Sequence, residues 1–580
     1  MISGWPTRPH QAPQGLAPVR RLILLFCLLL ALPVLSVLGS WLTLDAQSLA
    51  LLKHQASTVL PDYAWSSLKL SLAVALGVAL LGGACAAAVS LFDFPGRRWF
   101  EWALLLPMAM PAYVAAYAYT DFFQFSGPLQ VGLRALTGRE GALLPDPRSL
   151  WGAVLVFVLC LYPYVYLLTR TALAERAVVL MEAARLLGAG PWRRVREVAL
   201  PLARPALAAG VALVLMETLA DYGVGAYFGL NTFTTGVYKA WLVMNDRAAA
   251  AQLASVLLLV VALLLWAEHR AQARLRFATS RAGAQHGAEA RPLRLHGGAA
   301  IGAWLLCALP ILLGFVVPLA VLVRLLLLEL KYSELEPALA LNLARYGQWS
   351  WTSLKLAGLA ALGAVLLALV LGHAQRLRAR GAAQDQVAAQ GWRAWRSWGE
   401  RLEQGLLAAA GRVVSLGYAV PGAVIAVGLL LPMGWMQQAW PTLQLPALMT
   451  GTMLGLMYAY LVRFSGVALQ SVQAGYARIS PLVDESARML GASRRRLFLE
   501  LHAPLLTRSA LAAALLVFVD VMKELPATLV LRPFDSDTLA VVAYQLARDE
   551  RLGEAALPSL TIVLVGLVPV LMLSRAMRRR

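Results

Sequence analysis

Residues 182–201 read EAARLLGAGPWRRVREVALP, and residues 485–504 read ESARMLGASRRRLFLELHAP. The two strips agree at nine of twenty positions, at a constant offset of 303: Glu182/Glu485, Ala184/Ala487, Arg185/Arg488, Leu187/Leu490, Gly188/Gly491, Ala189/Ala492, Arg193/Arg496, Glu197/Glu500 and Pro201/Pro504. An internal repeat sets the architecture before any single element is assigned. This one spreads outward from the strips. WSSLKL at 65–70 returns as WTSLKL at 351–356, an offset of 286, and Pro111 and Pro421 fall in comparable apolar segments. Glu217 and Asp221 align with Asp520 and Glu524, again at 303. The offset grows because the second half carries a longer insertion, about 376–400, rich in Arg, Gln and Trp.

The chain around the strips is apolar. It is 59% hydrophobic and 14% charged, where soluble domains carry about 25% charge. Runs near twenty residues are long enough to cross a bilayer as helices. They predict an all-α polytopic membrane protein with spans at 20–42, 65–91, 100–123, 149–169, 205–222, 247–267, 299–327, 350–373, 406–432, 444–464, 508–526 and 554–574. The first run is too long for a cleavable signal peptide and is read as a retained helix; the Pro-rich segment 1–19 before it is expected to be disordered. Cys27, Cys85, Cys160 and Cys307 all lie in apolar runs and read as small buried hydrophobes.

A net charge of +20 invites a nucleic-acid reading, but its distribution points to membrane topology. With the N-terminus in the cytoplasm, 35 of the 51 basic residues fall in cytoplasmic segments and 11 in outer loops. That bias places both termini and both strips inside. Six helices then run in the same sense in each half: 20–268 is the first half, 269–298 a basic cytoplasmic linker, and 299–580 the second half. Such a parallel repeat has its pseudo-twofold axis along the membrane normal, with a substrate path between the halves.

Retention by charge explains the arginines of the strips but not their matched Glu, Gly and Pro. Glu182–Leu187 is a good helix former, with Glu182 and Arg185 spaced for a local i,i+3 pair. Gly188 supplies the positive φ that ends such a helix, and Gly190-Pro191 restarts one. Pro201 and Pro504 precede the next spans. The expectation is two short angled helices on the cytoplasmic face, a shape made to be held by a partner.

Glu182-Ala183-Ala184, a glycine six residues after the glutamate at Gly188, and Leu-Pro closing at Pro201 resemble the EAA loop of binding-protein-dependent (type I) ABC importer permeases. In the second copy Glu485, Ala487, Gly491 and Pro504 keep the pattern, while Ser486 and Ala503 depart from it. METLADYGVGAYFGLNTFTTGVYKAW (216–241) and VDVMKELPATLVLRPFDSDTLAVVAYQLARDERL (519–552) are similar to the fused permeases of ferric-iron importers. The resemblance implies a multi-pass protein of the bacterial inner membrane. It also implies two ATP-binding subunits docked on the two strips inside, one solute-binding protein outside, and ferric iron as solute. Thiamine, a phosphonate or a polyamine is the alternative cargo; an ion-coupled secondary transporter is the alternative class.

No catalytic constellation emerges. A phosphate-cradling loop needs Gly-Lys-Ser/Thr, and none of the six lysines follows a glycine. The seven histidines show no ligand spacing. The chain is therefore read as binding no metal or cofactor itself, with ATP used by a partner subunit. Glu217, Asp221, Asp520 and Glu524 are candidate pathway residues, because acids at membrane depth are costly and face a cavity or a partner. They line a vestibule for a hard cation, or they cap helices, pair with Lys523 or Arg532, or dock the binding protein; the sequence leaves these open. Lys69 and Lys355, in the WSSLKL contexts, either steer an anion or snorkel to the interface.

Overall fold

The computed structural model describes residues 17–43, 46–281, 293–335, 342–388, 414 and 416–578. Helix prevails because hydrocarbon offers no partner for backbone N–H and C=O, so each span must satisfy its own. Among the described residues, eleven helices are long and apolar enough to cross a membrane, and a bent pair supplies a twelfth. One two-residue parallel ladder, Phe92–Asp93 with Leu293–Arg294, ties the start of the second half to the first.

Several boundaries differ from the sequence reading. The span expected at 100–123 is broken by about 90° between Arg97–Ala109 and Ala112–Thr137. Pro107 and Pro111 lack the N–H that would continue the helix, and a residue before proline is pushed out of the helical region. Pro111 and Pro421 therefore begin helices, Ala112–Phe123 and Gly422–Ala439, from the same extended conformation (ψ 138° and 140°). The span expected at 444–464 runs instead from Met453 to Ala477, after a short helix Leu445–Gly451. Thr452 is extended and its side chain accepts from Leu454 N at 3.2 Å, which starts the helix there. The 303 offset maps Met453 onto Leu150, the start of the helix Leu150–Leu186 in the first half.

The strips also differ from expectation. The first does not open with a separate short helix: Leu150–Leu186 is one continuous helix of 37 residues that carries Glu182–Leu186 at its end. The second does, because Met453–Ala477 stops and Pro481–Met489 begins anew. Ser480-Pro481 supplies the break, with Pro at the first helical position and the Ser480 side chain accepting from Leu482 N. The first half has Ala177-Val178 at the matched positions, which carry no stop signal.

The segment 1–19 lies outside the described residues up to 16, and helix begins at Ala17. In the linker, helix Arg247–Arg281 runs through 269–281, and 282–292 lies outside the description. Residues 389–413, which include the end of the insertion and the first part of the span expected at 406–432, lie outside it as well.

The halves interlock. Helix Ala17–Gly39 packs on Gly422–Ala439 of the second half, with Ser36 Oγ donating to the Gly428 carbonyl. Reciprocally, the helix through Gly298–Leu335 packs on the first half, where the Tyr119 hydroxyl donates to the Leu313 carbonyl and Arg324 pairs with Asp121 at 3.0 Å. The two halves thus enclose a space between them without a covalent wall.

Candidate functional site

Two features stand out, one at the strip face of the bundle and one in its interior. At the strip face both copies fold alike from Glu182/Glu485 onward. Gly188 and Gly491 take φ of +80° and +81°. Gly188 N donates to Arg185 O and Ala189 N to Ala184 O; Gly491 N donates to Arg488 O and Ala492 N to Ala487 O. This is the Schellman closure, which glycine enters without a Cβ penalty. Beyond it Arg193 pairs with Glu197 at 2.9 Å and Arg496 with Glu500 at 2.7 Å. These residues occupy two of the nine positions the strips share, so the ion pairs fall here and not between Glu182 and Arg185. A π-helical turn follows in each copy, Val195–Ala199 and Leu497–His502. Just before each glycine a pair of large apolar side chains stands in the open: Leu186 and Leu187 at 88% and 87% exposed, Met489 and Leu490 at 90% and 87%.

The second feature is a partly open cavity of about 120 Å³ between the halves, lined by residues of both. All four acids singled out from sequence reach it, together with two cations, Arg463 and Lys523. Glu524 pairs with Arg463 at 3.0 Å, and Asp520 with Lys523 at 2.9 Å. Glu524 also caps the helix Pro526–Leu531, accepting from Ala527 N at 2.9 Å and Thr528 N at 3.1 Å. Asp221 does the same for Gly223–Tyr227, accepting from Val224 N at 2.7 Å. Glu217 meets the Tyr418 hydroxyl. Four carboxylates thus face two cations, a formal surplus of two negative charges. The phenols of Tyr113, Tyr164 and Tyr418 join the lining, and the buried Tyr113 hydroxyl has no hydrogen-bond partner among the described residues. Among those residues no three His, Cys, Asp or Glu side chains converge as metal ligands.

Sequence reasoning missed Arg463. The span expected at 444–464 put it at a membrane edge among the basic residues of the strip, whereas in Met453–Ala477 it lies mid-helix with its side chain 11% exposed. The repeat held the signal, since aligning Met453 with Leu150 centres Arg463 in its span. Gly422 makes the pair possible: a Cβ there would lie 2.7 Å from Arg463 Nη1 and 2.8 Å from Glu524 Oε1. The WSSLKL motif also acts through another residue than expected. Ser67 accepts from Phe233 N at 3.2 Å and Ser353 from Leu539 N at 2.8 Å, each fixing the start of a helix in its own half. Lys69 lies 5.5 Å from the Trp65 ring, a cation–π contact.

These features define a class: a polytopic permease of two interlocked halves around a charged central cavity, with one exposed basic elbow per half. Residues 79–277 match the family of the binding-protein-dependent transport system inner membrane component. Along its length the chain resembles the fused permeases of type I ABC importers, ferric-iron transporter permeases among them, and its long apolar helices suit a multi-pass protein of the inner membrane. It is 24% identical over 511 residues to the Fe(3+)-transport system permease protein FbpB 2 of Haemophilus influenzae, covering 88% of this chain and 89% of the relative. It is 27% identical to the putative 2-aminoethylphosphonate transport system permease protein PhnU of Salmonella choleraesuis, over 33% of this chain and 68% of the relative. The molybdenum transport system permease protein ModB of Escherichia coli is 28% identical, over 36% and 93%. A permease of this kind is not an enzyme; its ATPase is a separate subunit, and a solute-binding protein serves it.

Proposed function

We propose that this permease imports ferric iron handed over by its binding protein. The observation that carries the reading is the surplus of two carboxylates in the cavity, set among phenols. Carboxylate and phenolate oxygens suit a hard cation, whereas a phosphonate or molybdate would meet unscreened like charge in a low-dielectric space. The similarity to FbpB 2 along nearly the whole chain supports the same reading. Glu217 and Asp221, which have no cation of their own half beside them, are the acids we assign to the passing ion. Asp520 and Glu524 hold the opposite wall through Lys523 and Arg463.

In this reading both termini and both strips face the cytoplasm. Two ATP-binding subunits dock there, on the elbows built by Glu182, Ala183, Ala184, Gly188 and Pro201 and by Glu485, Ala487, Gly491 and Pro504. The exposed Leu186–Leu187 and Met489–Leu490 pairs enter their grooves. One binding protein docks on the outer face. Closure of the ATPases draws the elbows together, rocks the halves, and switches the cavity between the two sides.

The test is uptake into vesicles carrying the permease with its ATP-binding subunits and binding protein. Iron should enter in preference to 2-aminoethylphosphonate, molybdate, thiamine and spermidine. The double variant Glu217→Gln, Asp221→Asn should cut iron uptake about tenfold or more with the complex still assembled. Iron entry at the unaltered rate in that variant, or preferential entry of any of the other four, would overturn the reading.

A further inference from the structure

Behind the second elbow lies a buried polar cluster whose residues are not repeated at the matched positions of the first. Asp484, on the elbow helix Pro481–Met489, is fully buried, as is His502 at the end of the π turn. His502 Nε2 lies 3.1 Å from Asp484 Oδ1, and His502 Nδ1 lies 3.2 Å from His373 Nδ1. The other carboxylate oxygen accepts from Arg376 Nε at 3.2 Å. Arg376 also donates to the carbonyls of Tyr476 and Ile479, at 3.2 and 2.7 Å, where the helix Met453–Ala477 ends. A carboxylate only accepts, so His502 Nε2 donates to Asp484, and the two histidines share one hydrogen bond through their Nδ1 atoms. The Tyr476 ring meets His502 edge-on at 5.2 Å, and the Phe498 ring lies tilted against His373 at 4.8 Å, closing the cluster off.

Four segments meet at this point: the long helix Leu343–Ala388, the end of the tenth span, the elbow helix, and the foot of the helix Ala503–Met522. The first half has Ala87, Ser90, Met181 and Ala199 at the matched positions, with no ionisable group among them. The difference coincides with the break. In the first half the elbow is the end of a continuous membrane helix, so a pull on it is carried by the helix itself. In the second half Ser480-Pro481 interrupts that path.

We propose that Arg376, Asp484, His502 and His373 form a latch that carries force across this break, making Asp484 and His502 positioning residues for coupling. The inference rests on the reading of the strips as ATPase docking elbows. A buried charge whose partner is removed is left uncompensated, so breaking the latch should free the elbow helix from the spans without altering its outer, ATPase-facing side.

The experiment uses the full complex in lipid vesicles, with iron-loaded binding protein as the probe. Asp484→Ala should keep its ATP-binding subunits and its hydrolysis, while iron moved per ATP falls about tenfold. Asp484→Glu should recover part of it, and Met181→Ala in the first half should leave the ratio unchanged. The decisive variant adds Ser480→Ala and Pro481→Val to Asp484→Ala, giving the second half the uninterrupted sequence of the first. Helix continuity should then make the latch dispensable and restore the ratio, a result that a merely folding role for Asp484 does not produce. Amide exchange read on the same samples needs no solute: 481–489 should exchange faster in Asp484→Ala, and 182–188 should not. An unchanged ratio with unchanged exchange in 481–489, or failure of the helix-restoring variant, would overturn the latch. Loss of the ATP-binding subunits from variants at Gly188 and Gly491 tests the docking reading separately, and absence of iron uptake by the unaltered complex speaks only to the choice of solute.

Discussion

The two elbows are near-copies on the side that faces outward and unlike on the side that faces the membrane. Both present Glu, Ala and a large apolar pair ahead of a left-handed glycine, then an Arg–Glu pair and a π turn. Behind that shared surface, one is mounted on a continuous helix and the other on a broken helix with a buried ionic cluster. The cavity repeats the lesson. Its acids match across the halves at the 303 offset, but the cations do not: where the second half has Arg463 and Lys523, the first has Cys160 and Ala220, and all four residues line the same space. The repeat thus keeps the exposed surface of the elbows and the acids of the cavity, and lets the supporting groups diverge. The outcome is a pseudo-symmetric shell with one neutralised wall and one charged wall.

The largest effect expected from this asymmetry is at Arg463. Arg463→Met leaves Glu524 buried without its counter-ion, and breaking such a pair costs about 3–5 kcal/mol. Its first-half counterpart Cys160→Ala removes one uncharged sulfur and breaks no ion pair, and should cost about 1–2 kcal/mol. Denaturant unfolding of the purified permease in one detergent, followed through tryptophan emission, compares them. Equal losses would mean that the Arg463–Glu524 pair does not hold the second wall.

Where the halves agree, variants should agree. Gly188→Val and Gly491→Val each force a β-branched residue to φ near +80°, a strain of about 1–3 kcal/mol. Each should weaken retention of the ATP-binding subunits by a similar factor in a pull-down at graded subunit concentration. A loss confined to one loop would break the equivalence of the two docking surfaces.

How far the sequence could carry the structure follows from the same contrast. The repeat, the span count, the two elbows and the four cavity acids are legible because each leaves a pattern: an apolar run of bilayer length, a glycine where φ must be positive, an acid where apolar residues are the rule. The mounts are not legible in that way. Arg463 hides because a hydropathy window slides its helix about nine residues toward the N-terminus, and only alignment of Met453 with Leu150 recovers it. His373, Asp484 and His502 are spread over 130 residues, so nothing local marks them as neighbours. The broken third span was visible as Pro107 and Pro111, yet proline chemistry alone does not say whether a helix bends or restarts. Its outcome depends on the packing of Ala112–Phe123, whose residues 113–121 are all buried.

Smaller effects sharpen the comparison further. Ser67→Ala and Ser353→Ala each strip the acceptor from a buried backbone N–H, of Phe233 and Leu539 respectively. An orphaned buried donor costs about 1–3 kcal/mol, and the matched geometry predicts nearly equal losses in the denaturant assay. Unequal losses would show that the helices Phe233–Tyr238 and Leu539–Arg548 are held by different means despite the shared motif.

The smallest effect belongs to Ser480. Its side chain accepts from Leu482 N at 3.3 Å at the start of the second elbow helix, a long bond on an exposed surface. Removing an N-cap hydroxyl costs about 0.5–2 kcal/mol, and this one should fall at the low end. Ser480→Ala alone should therefore speed amide exchange in 481–489 only slightly, because Pro481 still forbids the helix from running through. The mirror change in the first half, Ala177→Ser, should leave exchange in 182–188 as it was, since a serine inside a continuous helix has no free N–H to cap. If Ser480→Ala loosened its elbow as much as Asp484→Ala, the cap would be the main tether and the buried cluster a secondary one; if it changed nothing measurable, the proline alone makes the break that sets the two halves apart.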